Sequence, residues 1–320
     1  MRMADGVLQR LLDGLREGRD LRDAEYSAFS DLTRSDVRSV NEQWGSVPTA
    51  TRALLLERAF ELMEVNVELQ FEALARMALS DPEAEVRERA VALLWESTDR
   101  DVAAALARLA TDDPGPGVRA AAAAGLSPFV EAHLFDRLPK ASGELIVSAL
   151  QRALRDSDVD VRARAIESAA GFPDPWAQEA ILEAYEGGEE VLRLSAIRAM
   201  GVSGLTRWEE YIEEELLSGN PEVRFEAILA AGSLGSPLLI EPLGELLNDE
   251  DPEVVLAAIE AIGEIGGDDA ITLLDEFAPH APEGFEEAIA NARTVATEDG
   301  MFRRFGELDS FGTNDEDDDE

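Results

Sequence analysis

The sequence of 320 residues contains no cysteine, a single lysine (Lys140) and two histidines (His133 and His280). The absence of cysteine excludes disulfides, thiolate zinc sites and a cysteine nucleophile. Two isolated histidines leave little room for a histidine-built metal centre. No apolar run approaches the roughly 18–20 residues of a membrane helix. Residues 1–6 meet an acid at once and lack the apolar core of a signal peptide. We therefore expect a cytoplasmic protein without a membrane partner.

Charge of one sign dominates what is present. The chain has 68 acidic and 28 basic side chains, which gives a formal charge of −40. Lysine is almost absent while arginine is kept, and this pattern resembles the soluble proteins of salt-in halophiles. Salt near 1 M shortens the Debye length to about 3 Å and screens the self-repulsion of such a chain. We favour adaptation to a salty cytoplasm; the alternative is a surface for cationic ligands or basic partners.

An internal repeat runs through most of the chain. The stretch 81–90, Asp-Pro-Glu-Ala-Glu-Val-Arg-Glu-Arg-Ala, recurs in degraded form. Aligning the copies on its valine gives six anchors, at Val86, Val118, Val161, Leu192, Val223 and Val254. The intervals between them are 32, 43, 31, 31 and 31 residues. The regular period predicts a stack of equivalent structural units.

Each anchor is followed four residues later by an alanine, at Ala90, Ala122, Ala165, Ala196, Ala227 and Ala258. Apolar residues at i, i+4, i+5 and i+8 are typical of one face of an amphipathic helix. Because all six repeats have alanine at this position, we expect a close helix crossing there. An apolar position seven residues before most anchors predicts the end of a preceding helix. The unit is therefore helix A, a tight turn and helix B.

Asp-Pro and Asn-Pro pairs mark several of these turns, at Asp81, Asp113, Asn220 and Asp251. We expect the Asp or Asn to cap helix B, with the proline in its first turn. At the ends the pattern weakens, as in capping repeats. A step of 31 residues back from Val86 gives Leu55, with Ala59 at the alanine position.

These observations predict three regions. Residues 1–34 form N-terminal capping helices, residues 35–297 form the repeats, and residues 298–320 form an acidic, disordered tail. The longest interval places about 12 extra residues in a segment over 127–140. Insertions in repeat proteins map to loops on one face, often the binding face. We favour the alternative, a bend or an extra helical turn in the stack.

The spacing Asp-x-x-x-x-Val-Arg-x-x-Ala resembles the HEAT repeat, especially the HEAT-like repeat of phycobilisome lyases. The resemblance implies an all-α fold, a right-handed α-solenoid of HEAT-like helix pairs. It also implies a structural ladder of Asp and Arg side chains between neighbouring repeats. Three repeats match both positions of the motif, with Asp81 and Arg87, Asp113 and Arg119, and Asp156 and Arg162.

Two repeats keep the arginine without the aspartate. Arg193 and Arg224 face Gly187 and Ser218 instead, so we expect them to have spare donors. Together with Arg162 they are the candidate contact for an anion or a partner. In the alternative, which we favour, the nearby acids Glu189, Glu190 and Glu222 satisfy them.

Three functions remain open, and we favour a non-catalytic scaffold or adaptor that binds another protein. The first alternative is an enzyme or enzyme accessory that resembles HEAT-like lyases or deoxyhypusine hydroxylases. It is disfavoured because neither His133 nor His280 is followed by the glutamate of a His-Glu iron-ligand pair. The second is a HEAT-like nucleic-acid-binding protein, which the net charge disfavours. We expect no cofactor, metal, catalytic residue or small-molecule substrate.

Overall fold

The computed structural model describes residues 2–297, which form helices and turns without a strand. The chain divides into two compact units: unit 1 is Met1–Phe172 and unit 2 is Pro173–Glu320. The predicted acidic tail over 298–320 lies outside the described residues.

Unit 1 begins with two helices that precede the first helix pair, and it carries one extra helix before its last pair. Its helices are α1 (Arg2–Arg16), α2 (Asp23–Tyr26), α3 (Arg34–Trp44), α4 (Thr49–Val65), α5 (Glu72–Ala78), α6 (Ala84–Ala92), α7 (Arg100–Asp112), α8 (Pro116–Ala124), α9 (Ser127–Leu134), α10 (Lys140–Ala153) and α11 (Val159–Ala169).

Unit 2 consists of helix pairs throughout its described part. Its helices are α12 (Pro175–Glu186), α13 (Glu190–Val202), α14 (Glu209–Leu216), α15 (Pro221–Leu234), α16 (Ile240–Glu245), α17 (Pro252–Ile265), α18 (Gly267–Phe277) and α19 over 286–297.

Both units are built from the predicted A and B helices. The A helices are α3, α5, α7 and α10 in unit 1 and α12, α14, α16 and α18 in unit 2, and each is followed by its B helix. The A helices α5, α7 and α10 in unit 1 and α12, α14 and α16 in unit 2 pack on the B helix of their own repeat, and successive B helices within each unit pack on one another. The predicted fold class, an all-α solenoid of HEAT-like helix pairs, is confirmed.

The alanine of the repeat lies at the centre of this packing. All six alanines are fully buried: Ala90, Ala122, Ala165, Ala196, Ala227 and Ala258. The anchors are also buried, with Leu192 the most exposed of them at 9%. A larger side chain at the alanine position would force the helices apart, since interiors are close-packed. The burial of all six alanines is what a close helix crossing at this position requires.

The caps of the B helices follow the prediction in one part of the chain only. Asn220 and Asp251 cap α15 and α17, and each is followed by proline in the first turn. Asp81 and Asp113 do not cap, because the N-caps of α6 and α8 are Glu83 and Gly115. Asp81 and Asp113 lie five residues before their anchors, whereas Asn220 and Asp251 lie three residues before theirs.

The extra residues over 127–140 form helix α9 rather than an open loop. Phe129 and Val130 anchor this helix in the core at 1% and 2% exposure. His133 packs beside Phe172, and its ring fills the space that a side chain at Gly143 would need. The segment is thus an integral part of unit 1.

The B helices of unit 2 approach one another closely at glycines nine residues after the anchors. A Cβ atom added at Gly201 would lie 2.6 Å from Cα of Ala230 on the next B helix. At Gly263 it would lie 2.8 Å from Cα of Ala292. Backbone atoms cannot move away cheaply, so only glycine permits these crossings.

Candidate interaction surfaces

The Asp and Arg side chains of the predicted ladder meet between neighbouring repeats of unit 1. Arg87 Nε and Nη2 donate to the two carboxylate oxygens of Asp113, both at 2.7 Å. Arg119 binds Asp156 in the same bidentate way, at 2.8 and 2.9 Å. Each arginine thus bonds with the aspartate of the next repeat. Such paired, planar contacts are the stronger kind of ion pair.

The Nη1 group of each arginine donates within its own repeat. Arg87 Nη1 reaches the carbonyl oxygen of Asp81 at 2.8 Å. Arg119 and Arg162 do the same with the carbonyls of Asp113 and Asp156, both at 2.9 Å. The arginine therefore joins the turn of its own repeat to the turn of the next.

These contacts lower the pKa of the aspartates they hold. The hydrogen bond from Arg119 lowers the pKa of Asp156, against the opposing effect of burial. Burial alone would raise the pKa of Asp113, but hydrogen bonds from Arg87 and from the Gly115 N–H bring it below its ordinary value. Both carboxylates are thus stabilised in their charged form in the folded chain.

The first rung of this ladder involves two residues that the sequence did not reveal. Arg52 Nη1 lies 3.0 Å from Asp81 Oδ2, and both side chains are almost completely buried. Trp44 Nε1 donates to the same oxygen at 2.6 Å. The repeat period of 31 residues places the anchor of the first repeat at Leu55. The ladder arginine of that repeat is out of this register, because Arg52 precedes Arg87 by 35 residues. The signal available was Asp81 itself, since a buried aspartate requires a partner from the preceding repeat.

In unit 2 the two arginines expected to have spare donors already contact carboxylates. Arg224 Nη2 donates to Asp249 Oδ1 at 2.8 Å, and its Nη1 donates to the carbonyl of Ser218 at 2.8 Å. Arg193 pairs with the buried carboxylate of Glu215. Both arginines are therefore paired, as in the favoured alternative, although these carboxylates belong to the next repeat and are not the nearby acids that it named.

Glu215 also accepts a hydrogen bond from the Tyr185 hydroxyl. Burial, and then this contact, raise the pKa of Tyr185 to about 12. Arg193 thus binds a carboxylate that is held on its other side by a neutral phenol. The three side chains replace the Arg–Asp contact at a repeat where Ser218 occupies the aspartate position.

Every arginine in the described part of unit 2 is engaged within the unit. Arg198 forms a bidentate pair with Glu226, and Arg293 lies 2.6 Å from Asp275. Arg207 donates to Gln178 at 2.6 Å and stacks on the Trp208 ring at 4.6 Å. Unit 2 therefore presents its many remaining acids to solvent without balancing cations.

The charge of the chain is divided unequally between the units. Unit 1 contains 21 basic and 30 acidic side chains, a formal charge of −9. Unit 2 contains 7 basic and 38 acidic side chains, a formal charge of −31. The A helices show the contrast most clearly. Those of unit 1 carry 7 basic and 6 acidic residues, and those of unit 2 carry 14 acidic residues and no basic one.

The B helices of unit 2 carry an apolar stripe, which consists of Leu194, Phe225 and Leu256. The three side chains lie two residues after successive anchors, so they lie about 200° around each helix from those buried anchors. Leu256 is 38% exposed, and Leu194 and Phe225 are partly exposed. Leu229, 42% exposed, lies one turn along α15 from Phe225.

Acidic side chains border the apolar stripe. Glu222 and Glu253 precede the anchors of α15 and α17, and Glu260 and Glu264 follow one and two turns after Leu256 on α17. Partial burial, and then the neighbouring charge of Glu260, raise the pKa of Glu264. This face therefore combines an apolar centre with a strongly negative border.

A groove of about 1100 Å³ lies in unit 1 between α3, α5 and the start of α7. Arg34 and Arg38 line one wall, and Arg76 lines the opposite wall. Arg76 is held by acids, with Nη1 3.1 Å from Glu72 and 2.7 Å from Asp99. Three arginines thus line one groove of unit 1.

The two histidines lie in unrelated places in the chain. His280 is exposed in a short turn, and His133 lies in the core contact with Phe172. Among residues 2–297, no three side chains of His, Asp or Glu are arranged to hold a metal ion. No helix in the same range has the length and apolar character needed to cross a membrane.

Comparison with known proteins gives the following similarities. No curated protein matches the chain. Among solved structures, YibA of Escherichia coli is 18% identical over 90% of this chain and 96% of its own, with a TM-score of 0.46. The complex of CpcE and CpcF of phycocyanin lyase from Nostoc is 19% identical over 70% and 94%, with a TM-score of 0.47. Human deoxyhypusine hydroxylase is 16% identical over 84% and 96%, with a TM-score of 0.33.

Similarities of this size assign neither an activity nor a partner to the chain. The family model of HEAT repeats matches residues 71–138, in unit 1, and residues 209–292, in unit 2. The resemblance inferred from the Asp and Arg spacing is thereby confirmed, and the chain carries HEAT repeats in both of its units.

Proposed function

We propose that this chain is a non-catalytic scaffold that binds another protein in a high-salt cytoplasm. We further propose that the B-helix face of unit 2 binds a basic, amphipathic segment of that partner. The observation that carries the proposal is the apolar stripe of Leu194, Phe225 and Leu256, which is partly exposed within an acidic border.

The apolar part of this face supports binding rather than solvation. Adaptation to salt favours charged side chains at the surface, yet the repeat retains three apolar ones at intervals of 31 residues. A contiguous exposed apolar patch bordered by polar residues is typical of interaction sites. Because the three side chains come from three different repeats, they form one line across the B helices.

The charge of unit 2 supports a basic partner. Its described arginines are already occupied, so they add little positive potential to the face. Glu222, Glu253 and Glu260 would lie beside a segment that covers Phe225 and Leu256. Complementary charge increases the rate of association and selects among partners, and the apolar contacts supply the affinity.

The test is a pull-down from extract of the source cell in multimolar salt, with the full chain and two single variants, Leu256→Asp and Leu229→Asp. We expect one stoichiometric protein partner, and an affinity at least about tenfold lower for both variants, a loss typical of an interface anchor. Leu238→Asp is the matched control, because Leu238 is 73% exposed in unit 2 but lies outside the B helices.

Two results would contradict the proposal. One is a partner that binds Leu256→Asp and Leu229→Asp as tightly as the unchanged chain. The other is an equal loss for Leu238→Asp, which would show a general effect of added charge. Co-purification of DNA or iron in place of a protein would favour the nucleic-acid or enzymatic alternative.

A further inference from the structure

The groove of unit 1 holds two arginines that the fold does not use. Arg34 and Arg38 lie one turn apart on α3 and are both exposed. Within residues 2–297, neither guanidinium forms a hydrogen bond or an ion pair. Residues four apart lie on the same helix face, so both guanidinium groups are available to one ligand.

These arginines stand out against the composition of the chain. The third arginine that lines the groove, Arg76, is paired with Glu72 and Asp99. In a chain of charge −40, a carboxylate beside Arg34 or Arg38 would be easily supplied. Two adjacent arginines without such a carboxylate are therefore a feature of recognition rather than of stability.

The other groove residues define what the arginines would bind. Asn41 and Gln70 offer amide groups that can bond with a peptide backbone. Val37 and Met77 provide an apolar floor for a side chain. A guanidinium binds a carboxylate through two parallel hydrogen bonds, which suits Asp and Glu side chains.

The acids of the groove argue against a nucleic acid. Asp31, Asp99 and Asp101 line it together with the arginines. A nucleic-acid backbone places phosphates at short, regular intervals and is bound by clustered cations. A strand laid along this groove would bring some phosphates against these carboxylates. A peptide can instead place its acids at Arg34 and Arg38 and neutral residues elsewhere.

We propose that this groove binds an acidic segment of a partner protein, with its carboxylates on Arg34 and Arg38 and an apolar side chain on Val37 and Met77. The site lies in unit 1, so it is independent of the basic segment proposed for unit 2.

The test measures binding of a fluorescent peptide to the full chain by anisotropy at low salt. The probe has the sequence of residues 307–314, which contains two acids, Glu307 and Asp309, no base and the apolar Leu308 and Phe311. We expect the double variant Arg34→Gln/Arg38→Gln to bind this peptide about tenfold more weakly, since each exposed pair contributes modestly. A peptide with amides in place of both carboxylates should fail to bind.

The matched control is Arg108→Gln/Arg155→Gln, which removes two exposed arginines of unit 1 outside the groove. It should leave binding of the peptide unchanged. An equal loss of affinity in this control variant would overturn the proposal. So would a peptide that fails to bind the unchanged chain. A single-stranded oligonucleotide serves as a competing ligand in the same assay. If it binds more tightly than the peptide and loses affinity in the groove variant, the ligand of the groove is a nucleic acid and the proposal is overturned. The groove variant should keep the partner that depends on Leu256, which separates this proposal from the proposed function.

Discussion

The two units share one repeat and one solvent, yet they differ in charge by more than threefold. Unit 1 has a formal charge of −9 and unit 2 of −31. The proposed adaptation to salt would act on the whole chain, so it would not by itself explain a difference between two parts of it. The comparison indicates that unit 1 retains its arginines because its contacts use them. The ladder uses some, and the groove at α3 presents others.

The units also hold their repeats together by different means. In unit 1, Arg52, Arg87 and Arg119 each bind an aspartate of the next repeat. In unit 2 this series includes Arg224 but ends there, because Val255 occupies the arginine position. Unit 2 instead has close backbone crossings at glycines, where unit 1 has larger residues: Trp95, Ser127 and Ala170. Unit 1 thus has the Arg–Asp ladder in successive repeats, whereas unit 2 combines ion pairs between repeats with close backbone contacts at glycines.

The largest effect is expected from breaking the ladder of unit 1. Arg87→Ala leaves the buried carboxylate of Asp113 without its main partner. Loss of one partner of a buried pair costs about 3–5 kcal/mol of unfolding free energy. Denaturant unfolding followed by circular dichroism measures this loss.

Arg89→Ala, on the same helix, is the control for this prediction. Arg89 makes only solvent-exposed contacts with Glu57 and Glu85. Its removal should cost under about 1 kcal/mol. If both variants lose the same stability, the ladder does not hold unit 1 together in the way described.

A smaller effect is expected from breaking a glycine crossing of unit 2. Gly263→Ala places a methyl group against Ala292, and overpacking of this kind costs about 1–3 kcal/mol. Gly219→Ala is the control, because a Cβ there meets no atom within 4 Å. Equal unfolding free energies for the two variants would show that the B helices of unit 2 can separate without cost.

The smallest effect is a difference in how salt stabilises the two units. The Debye length falls from about 10 Å at 0.1 M salt to about 3 Å at 1 M, so repulsion among exposed acids weakens. We expect hydrogen exchange of the full chain to slow more in α12–α18 than in α3–α11 when salt is raised. A neutral osmolyte should slow both units alike. Equal slowing of both units by salt would contradict the link between charge and stability in unit 2.

The repeat made most of the fold predictable. An anchor and an alanine at a constant interval specify a helix face and its tightest contact, and both proved to be buried. The pairing of Arg193 with Glu215 was not predictable in the same way. It depends on which repeat supplies the acid, and a glutamate one turn before Ser218 takes the place of an aspartate.

The first repeat shows a second limit of the sequence. Leu55 and Ala59 are buried as their positions predicted, yet the ladder residue is Arg52. Helix α4 is longer than the other B helices. It can therefore keep its buried anchor and alanine in the repeat period and carry the ladder arginine one turn earlier than the other B helices do. The apolar stripe was also missed, because apolar residues in a helix do not show from sequence which of them remain exposed.

The glycine crossings of unit 2 have a consequence for how the length of the proposed binding face could change. Close contacts at Gly201 and Gly263 hold α13 against α15 and α17 against α19, and each 31-residue module adds one residue of the apolar stripe and one B helix to the unit. Inserting a copy of the module that contains Phe225 would therefore lengthen the proposed binding face by one helix. In unit 2 the spacing of the stripe residues is thus set by the packing of the helix backbones. The chemistry of the stripe is set by one side chain per module.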